Sequence, residues 1–368
     1  MRLAELRTPC LVLDRLRLEQ NVARMAGILA RHGVPLRPHM KTAKSIEVAR
    51  LALQGQPGGI TVSTLAEARY FAGHGIGDML YAVGITPCKL DEVAALNAAG
   101  AAITVITDDP AAAAAIAAHP AGVRAMVEVD SGEHRGGMAP DASRLVEVAS
   151  QLGERLAGVM THGGHSYAGR TEAELAAVAE QERSAVVRAA ERLRAAGHRV
   201  ETVSMGSSPT AVHAAHLEGV TEVRAGVYMF GDLFQAEILT HRQEDIAVTV
   251  LASVIGVREG ESRFLIDAGG LALSKDRSTQ ATERDYGFGL VLAEDGSPRY
   301  GRAIVRAAYQ EHGVVECDPA VPFPPVRVGS RVRVAPNHVC MTAAAHERYY
   351  VVAGSDRVEA EWERVNGW

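Results

Sequence analysis

Between residues 34 and 232 the chain repeats one pattern: a short run of β-branched and apolar residues, then a longer Ala, Leu, Glu and Arg segment with helical spacing. The runs fall at residues 34–41, 60–64, 78–83, 103–107, 123–130, 156–162, 199–206 and 222–230. Strands separated by helix-length sequence must run parallel, because the helix returns the chain to the edge from which it started. Eight successive units of this kind satisfy a closed, right-handed (β/α)8 TIM barrel. The longest helical segment, residues 171–194, has Thr171 as an N-cap, Glu172 and Glu174 in its first turn and Gly197 just beyond its end. Five consecutive alanines at 111–115 fit a plain surface helix.

After residue 232 the long helices stop. Residues 246–257 and 262–267 read as strands joined by a turn at 259–261, and 303–309, 331–335, 349–353 and 357–362 read as further strands. The sequence therefore predicts an α/β barrel over residues 15–240 followed by a mostly β C-terminal domain over 241–368, with a strand in residues 1–14 able to pack with the latter. Residues 271–287 and 317–327 read as loops, the first a candidate lid. A length of 368 residues suits two domains at roughly 150 residues each.

The charge balance removes several classes of partner. With 38 Lys and Arg against 44 Asp and Glu the net charge is −6, and no basic block occurs, so no footprint for nucleic acid is present. No apolar run reaches membrane-spanning length, and the opening MRLAELRTPC has no signal-like apolar core. Cys10, Cys88, Cys317 and Cys340 are far apart, which suggests neither a disulfide framework nor a four-thiolate zinc site and suits a reducing, cytoplasmic setting.

In a βα barrel the reacting groups collect at the C-terminal ends of the strands. The first run ends in PHMK at Lys41, the fifth is followed by DSGEHRGG with Arg135, and the sixth ends in THGGHSYAG with His162 and Tyr167. The seventh ends in MGSSPT and the eighth carries RAGVYMFGD, so Gly206, Ser207 and Ser208 lie beside Gly226, Val227 and Tyr228. Small residues, hydroxyls and free N–H groups at that corner suit a phosphate dianion. A lysine aimed into the same mouth is a Schiff-base candidate, and phosphate plus lysine suggests pyridoxal phosphate. Lys44, three residues on, is expected on the following helix, pointing away. Arg135 near a pyridine nitrogen would keep it unprotonated, while His162 and Tyr167 could flank the ring or be a buried histidine and a packing tyrosine. His39, His165, His213, His216 and His312 are weaker candidates.

In the second domain PNHVCMT places His338 and Cys340 just after a strand. If the strand continues, both project from one face and can share a divalent metal, Zn²⁺ foremost, with Mn²⁺ or Co²⁺ as alternatives. Two protein ligands leave the open positions that a catalytic metal needs. Taken alone, the same spacing also describes a strand histidine beside a buried cysteine. Glu311 in QEHG could support the metal site or simply end a strand.

These motifs carry a resemblance along almost the whole chain. LRPHMKTAKSIE, GITVSTLAEARYFAGHGIGDMLYA, DSGEHRGGM, THGGHSYAG, SMGSSPT, AGVYMFGD, YQEHGVVE, PNHVCMTAAAHERYYVV and the terminal NGW resemble D-serine dehydratase and its relatives, which include D-threonine aldolases and D-3-hydroxyaspartate dehydratases or aldolases. The resemblance implies the alanine racemase-like barrel and β domain of fold-type III pyridoxal phosphate enzymes. It further implies that Lys41 bears the cofactor, that Gly206, Ser207, Gly226, Val227 and Tyr228 hold its phosphate, and that His338 and Cys340 hold the metal. The implied substrate is a small D-3-hydroxy amino acid, and the implied assembly a head-to-tail homodimer. The HxC form looks like the dehydratases, whereas the aldolases more often look like HxD, so dehydration to a 2-oxo acid and ammonia is expected first. Aldol cleavage to glycine and an aldehyde comes second and racemisation third. DAGGLALSKDRS at residues 267–278 departs from the dehydratase loop.

Overall fold

The computed structural model describes residues 1–368. Its strands fall into two sheets, and the chain divides into one unit of Met1–Val22 with Val227–Arg364 and another of Ala23–Gly226 with Val365–Trp368. The opening strand β1 (Cys10–Asp14) belongs to the first of these units and leads directly into helix α1 (Arg15–Arg31).

The second unit is the barrel. Strands β2 (Leu36–Pro38), β3 (Ile60–Val62), β4 (Asp78–Gly84), β5 (Ala102–Thr107), β6 (Arg124–Val129), β7 (Leu156–Thr161), β8 (Thr202–Met205) and β9 (Glu222–Ala225) are all parallel, in the order β2-β9-β8-β7-β6-β5-β4-β3. A bridge between His39 and Thr61, with the Met40 N–H donating to the Thr61 carbonyl at 2.8 Å, joins the two ends of that order and closes it. Helices α2 (Ile46–Ala52), α3 (Leu65–Gly73), α4 (Leu90–Ala98), α5 (Pro110–Ala118), α6 (Ser143–Leu152), α7 (Glu172–Ala195) and α8 (Ser208–His213) follow the strands in turn. Local signals set their ends. Thr171 caps α7, its hydroxyl accepting from the Glu174 N–H at 3.2 Å while the Glu174 carboxylate accepts from the Thr171 N–H at 3.1 Å. The alanine run forms α5, capped by Asp109.

The strand register shows that the barrel interior has two characters. Leu80, Ile106, Met126 and Met160 point inward on β4 to β7 and form an apolar cluster. Across β8, β9 and β2 the inward positions are polar: Ser204, Glu222, Arg224 and Arg37. They satisfy one another. The Ser204 hydroxyl donates to Glu222 at 2.7 Å, Arg37 Nε donates to Glu222 at 2.8 Å, and Arg224 donates to the Ser204 oxygen at 2.5 Å. Buried charges are tolerated only with such pairing.

The strands end earlier than the sequence predicts. The run expected to continue to residue 230 stops at Ala225, because the chain turns at Gly226 into a 3-10 turn, Val227–Met229. Beyond it, in the first unit, come α9 (Leu233–Glu237), β10 (Val248–Arg258), β11 (Arg263–Ile266), α10 (Gly270–Leu273), β12 (Leu290–Ala293), β13 (Ile304–Ala308), β14 (Gly313–Glu316), β15 (Arg331–Ala335), α11 (Val339–Ala343), β16 (Arg348–Val352) and β17 (Ala360–Glu363). The sheet order is β11-β14-β13-β12-β15-β10-β1-β16-β17, and β11 also pairs with β10, so six of these strands form a closed ring. All its pairings are antiparallel except that of β1 with β16. Residues 271–287, expected as an unstructured loop, contain most of α10 and a 3-10 turn at Ser278–Ala281. No helix is long and apolar enough to cross a membrane.

Candidate active site

Lys41 lies just beyond β2, in a turn closed by the Lys44 N–H donating to the Met40 carbonyl at 2.8 Å. The Lys41 N–H donates to His39 Nδ1 at 3.4 Å, and the Lys41 side chain is exposed. Lys44 is not on the helix as expected. It precedes the N-cap Ser45 in a left-handed conformation, φ +50°, and its Nζ pairs with the fully buried Glu67 at 3.2 Å. Only Lys41 of the two therefore keeps its amine available.

Around Lys41 the mouth is rich in cations. Burial first, then the charges of Lys41, Arg135 and Arg224, hold the His162 imidazole down at about 3, so it is neutral. Its Nδ1 bonds the Gly206 carbonyl at 2.9 Å, which makes Nδ1 the protonated nitrogen and leaves Nε2 an acceptor. His39 is shifted well down for the same reasons, burial, Lys41, Arg224 and His162 in that order. Arg135 is half exposed in the loop after β6 and lies 3.5 Å from Glu133. Tyr167 is half-buried in the 3-10 turn Gly164–Ala168.

At the ends of β8 and β9 the backbone approaches closely. Gly206 has φ +137°, and a Cβ there would lie 2.2 Å from the Arg224 carbonyl oxygen; one on Gly226 would lie 2.7 Å from that of His39. Both positions require glycine. Two N–H groups expected to be free are occupied, however. That of Gly206 donates to Glu182 at 2.9 Å and that of Ser207 to the Thr210 hydroxyl at 3.0 Å, because Ser207 caps α8 in a reciprocal box. Ser208, the first residue of α8, is buried, and Val227 and Tyr228 are buried in the turn that continues from Gly226.

His338 and Cys340 are not on a strand. Strand β15 ends at Ala335, His338 is the N-cap of α11 and Cys340 sits in its first turn, so a helix start and not a pleat brings the imidazole and thiol into hydrogen-bond contact. Asp276, which the sequence reading missed, lies 3.3 Å from His338 Nδ1 and also accepts from the Ser278 N–H at 2.8 Å. Half-burial opposes its ionisation, but the bonds to His338 and Ser278 hold it at about 2. His338 is moved the opposite way: burial works against its charge, and the bonds to Asp276 and Cys340 outweigh burial. Asp232 supports the same turn from beneath, accepting the Val339 N–H at 3.0 Å, with burial raising its carboxyl to about 6. Glu311 is exposed in the hairpin turn between β13 and β14 and takes no place in this cluster. No set of three or more His, Cys, Asp and Glu side chains converges as metal ligands. An imidazole and a thiol held by a carboxylate fit a divalent cation that takes its other ligands from water or substrate.

With this geometry in hand, the profile of the alanine racemase N-terminal domain matches residues 13–233, and that of a serine dehydratase domain matches residues 247–352. The chain belongs to the alanine racemase-like D-serine dehydratase family. Within the family it is 42% identical to the D-threo-3-hydroxyaspartate dehydratase of Delftia sp. (strain HT23), over 100% of this chain and 99% of that one. It is 30% identical to the D-serine dehydratase of Dictyostelium discoideum, over 99% and 98%, and 31% identical to the D-threonine aldolase of Arthrobacter sp., over 98% and 93%. A substituted form of a D-threo-3-hydroxyaspartate dehydratase, solved in the metal-free form, matches with a TM-score of 0.95 at 40% identity, covering both chains fully. The family's two-part architecture, parallel eight-stranded barrel and antiparallel β domain, is the one found here.

Proposed function

We propose that this family member is a pyridoxal phosphate and divalent metal dependent lyase that dehydrates a D-3-hydroxy amino acid to a 2-oxo acid and ammonia. The observation that carries the proposal is the pairing, in one chain, of an exposed Lys41 in a cationic barrel mouth with a His338–Cys340 pair oriented by Asp276. Full-length similarity to two dehydratases supports it.

Lys41 would hold the cofactor through Nζ, with Ser207, Ser208 and the turn following Gly226 on its phosphate. The bound cofactor supplies an electron sink for negative charge developing at the substrate Cα. Lys41 Nζ would also be the base positioned to take the substrate α-proton. Neutral His162, fixed through Nδ1, offers a flat uncharged face and does not compete for that proton. His338 and Cys340 would hold the metal, Zn²⁺ by the softness of the thiolate, which would supply Lewis acidity to help the β-hydroxyl leave. A homodimer in the cytoplasm is the expected setting.

The deciding experiment incubates the holoprotein with D- and L-forms of serine, threonine and 3-hydroxyaspartate and measures 2-oxo acid, ammonia, glycine, aldehyde and enantiomer content together. Equal amounts of 2-oxo acid and ammonia from D-substrates alone are expected. Glycine with aldehyde would establish the aldolase reading, for which the D-threonine aldolase relative speaks, and enantiomer exchange without either pair of products would establish a racemase.

A further inference from the structure

Helix α7 presents Leu175, Ala179, Val186, Ala189 and Leu193 to the barrel wall, a regular apolar stripe broken at one position by Glu182. Glu182 is fully buried. A carboxylate in that position is costly unless its partners are fixed, and the identity of those partners is informative. Its Oε1 accepts the Gly206 N–H at 2.9 Å; burial raises its carboxyl above the usual range, and the Thr210 hydroxyl, the Gly206 and Gly163 N–H groups and the Arg224 charge work against that rise. Gly163 has no room for a side chain, since a Cβ would come within 2.8 Å of the carboxylate.

The bonding partners lie where β7 and β8 end and α8 begins. Gly163 follows His162, Gly206 precedes Ser207, and Thr210 is the residue whose hydroxyl and N–H complete the Ser207 cap. The Gly206 peptide is gripped at both ends, by Glu182 at its N–H and by His162 at its carbonyl. That peptide has a conformation open to glycine alone, so its shape needs external bonds to persist.

We infer that Glu182 is a positioning residue for the cofactor: from outside the barrel it sets the Ser207–Ser208 loop to receive phosphate and, through the same peptide, aims the His162 ring. This rests on the reading that pyridoxal phosphate binds here. A role confined to packing would be filled as well or better by an apolar side chain of similar volume.

The test titrates the full-length protein, freed of cofactor, with pyridoxal phosphate and with pyridoxal, followed by the visible absorption of the lysine-bound form. Wild type should prefer the phosphorylated compound. Glu182→Met, which fills the same space but leaves the Gly206 N–H without its acceptor, should fold with a modestly lower thermal midpoint while the preference falls on the order of tenfold or more. Glu182→Gln keeps one acceptor for Gly206 and should fall in between. An unchanged preference in folded Glu182→Met overturns the inference while leaving the cofactor reading intact. Should that variant not fold, an unchanged preference in Glu182→Gln overturns it equally. A wild type that binds both compounds alike overturns the cofactor reading, and the inference with it.

Discussion

His162 Nδ1 lies 2.9 Å from the carbonyl oxygen of Gly206, so the ring that faces the barrel mouth is tied to the loop at the end of the neighbouring strand. With burial and the nearby cations holding that ring's pKa at about 3, it stays neutral through the physiological range. The unfolded chain, by contrast, protonates this histidine below about 6.5. The unfolded state therefore binds more protons between the two values, and stability present above about pH 6.5 is lost as pH falls toward 3. His39 contributes in the same direction. Thermal midpoints measured from pH 7.5 to 4 should fall steadily, and His162→Asn, whose amide can replace the Nδ1 bond without titrating, should flatten the curve. In NMR spectra the His162 ring should show no titration between pH 5 and 8.

Borohydride reduction of the cofactor-loaded protein followed by peptide mapping should place the label on Lys41. Lys44 is engaged with Glu67 and should remain unmodified. Lys44→Met should leave the Lys41 label in place but destabilise the protein by about 2–3 kcal/mol, because a buried carboxylate loses its partner. A label on Lys44 would refute the assignment.

Asp276→Asn should lower divalent metal affinity roughly 10- to 100-fold, the usual effect of losing a carboxylate that orients a histidine ligand. Metal content after dialysis against graded chelator reads this directly. Cys340→Asp should retain a site but shift its preference toward Mn²⁺, since a carboxylate is the harder ligand. If both variants hold zinc as wild type does, the metal lies elsewhere.

Gly226→Ala places a methyl group against the His39 carbonyl, 2.7 Å away before relaxation. The neighbour is backbone and cannot swing aside, so a loss of about 1–3 kcal/mol is expected. The His39 to Lys41 turn should shift with it. Slower cofactor uptake than in wild type, measured by absorbance at matched folded fraction, would show that the shift reaches the lysine.

The barrel was legible because most of its strands carry β-branched residues within short apolar runs and several of its helices are capped, as at Thr64, Asp109 and Thr171. Lys41 and His162 could be found for the same reason: a residue that closes a run must sit at the mouth. The β domain was read less completely. Strand β12 passed unnoticed because Leu290–Ala293 is short and lies between turn-rich segments, and β14 was absorbed into the QEHG motif. Asp276 carries no local signal at all, since it reaches His338 across 62 residues of sequence. Glu182 did carry one. An acid where the helical period demands an apolar residue is visible without coordinates, and only its partners needed the fold.

The unequal lining of the barrel bears on how this protein can change. Leu80, Ile106, Met126 and Met160 pack on one another as one apolar cluster, so volume can be traded between neighbours and most paired replacements should show only modest epistasis. Across Arg37, Glu222, Ser204 and Arg224 every group answers another's charge or proton, and any single replacement strands the next. Descent along that seam must proceed by coordinated steps. A library meant to diversify the interior will find tolerated variants at those four apolar positions, while Arg37, Ser204, Glu222 and Arg224 will resist single replacement.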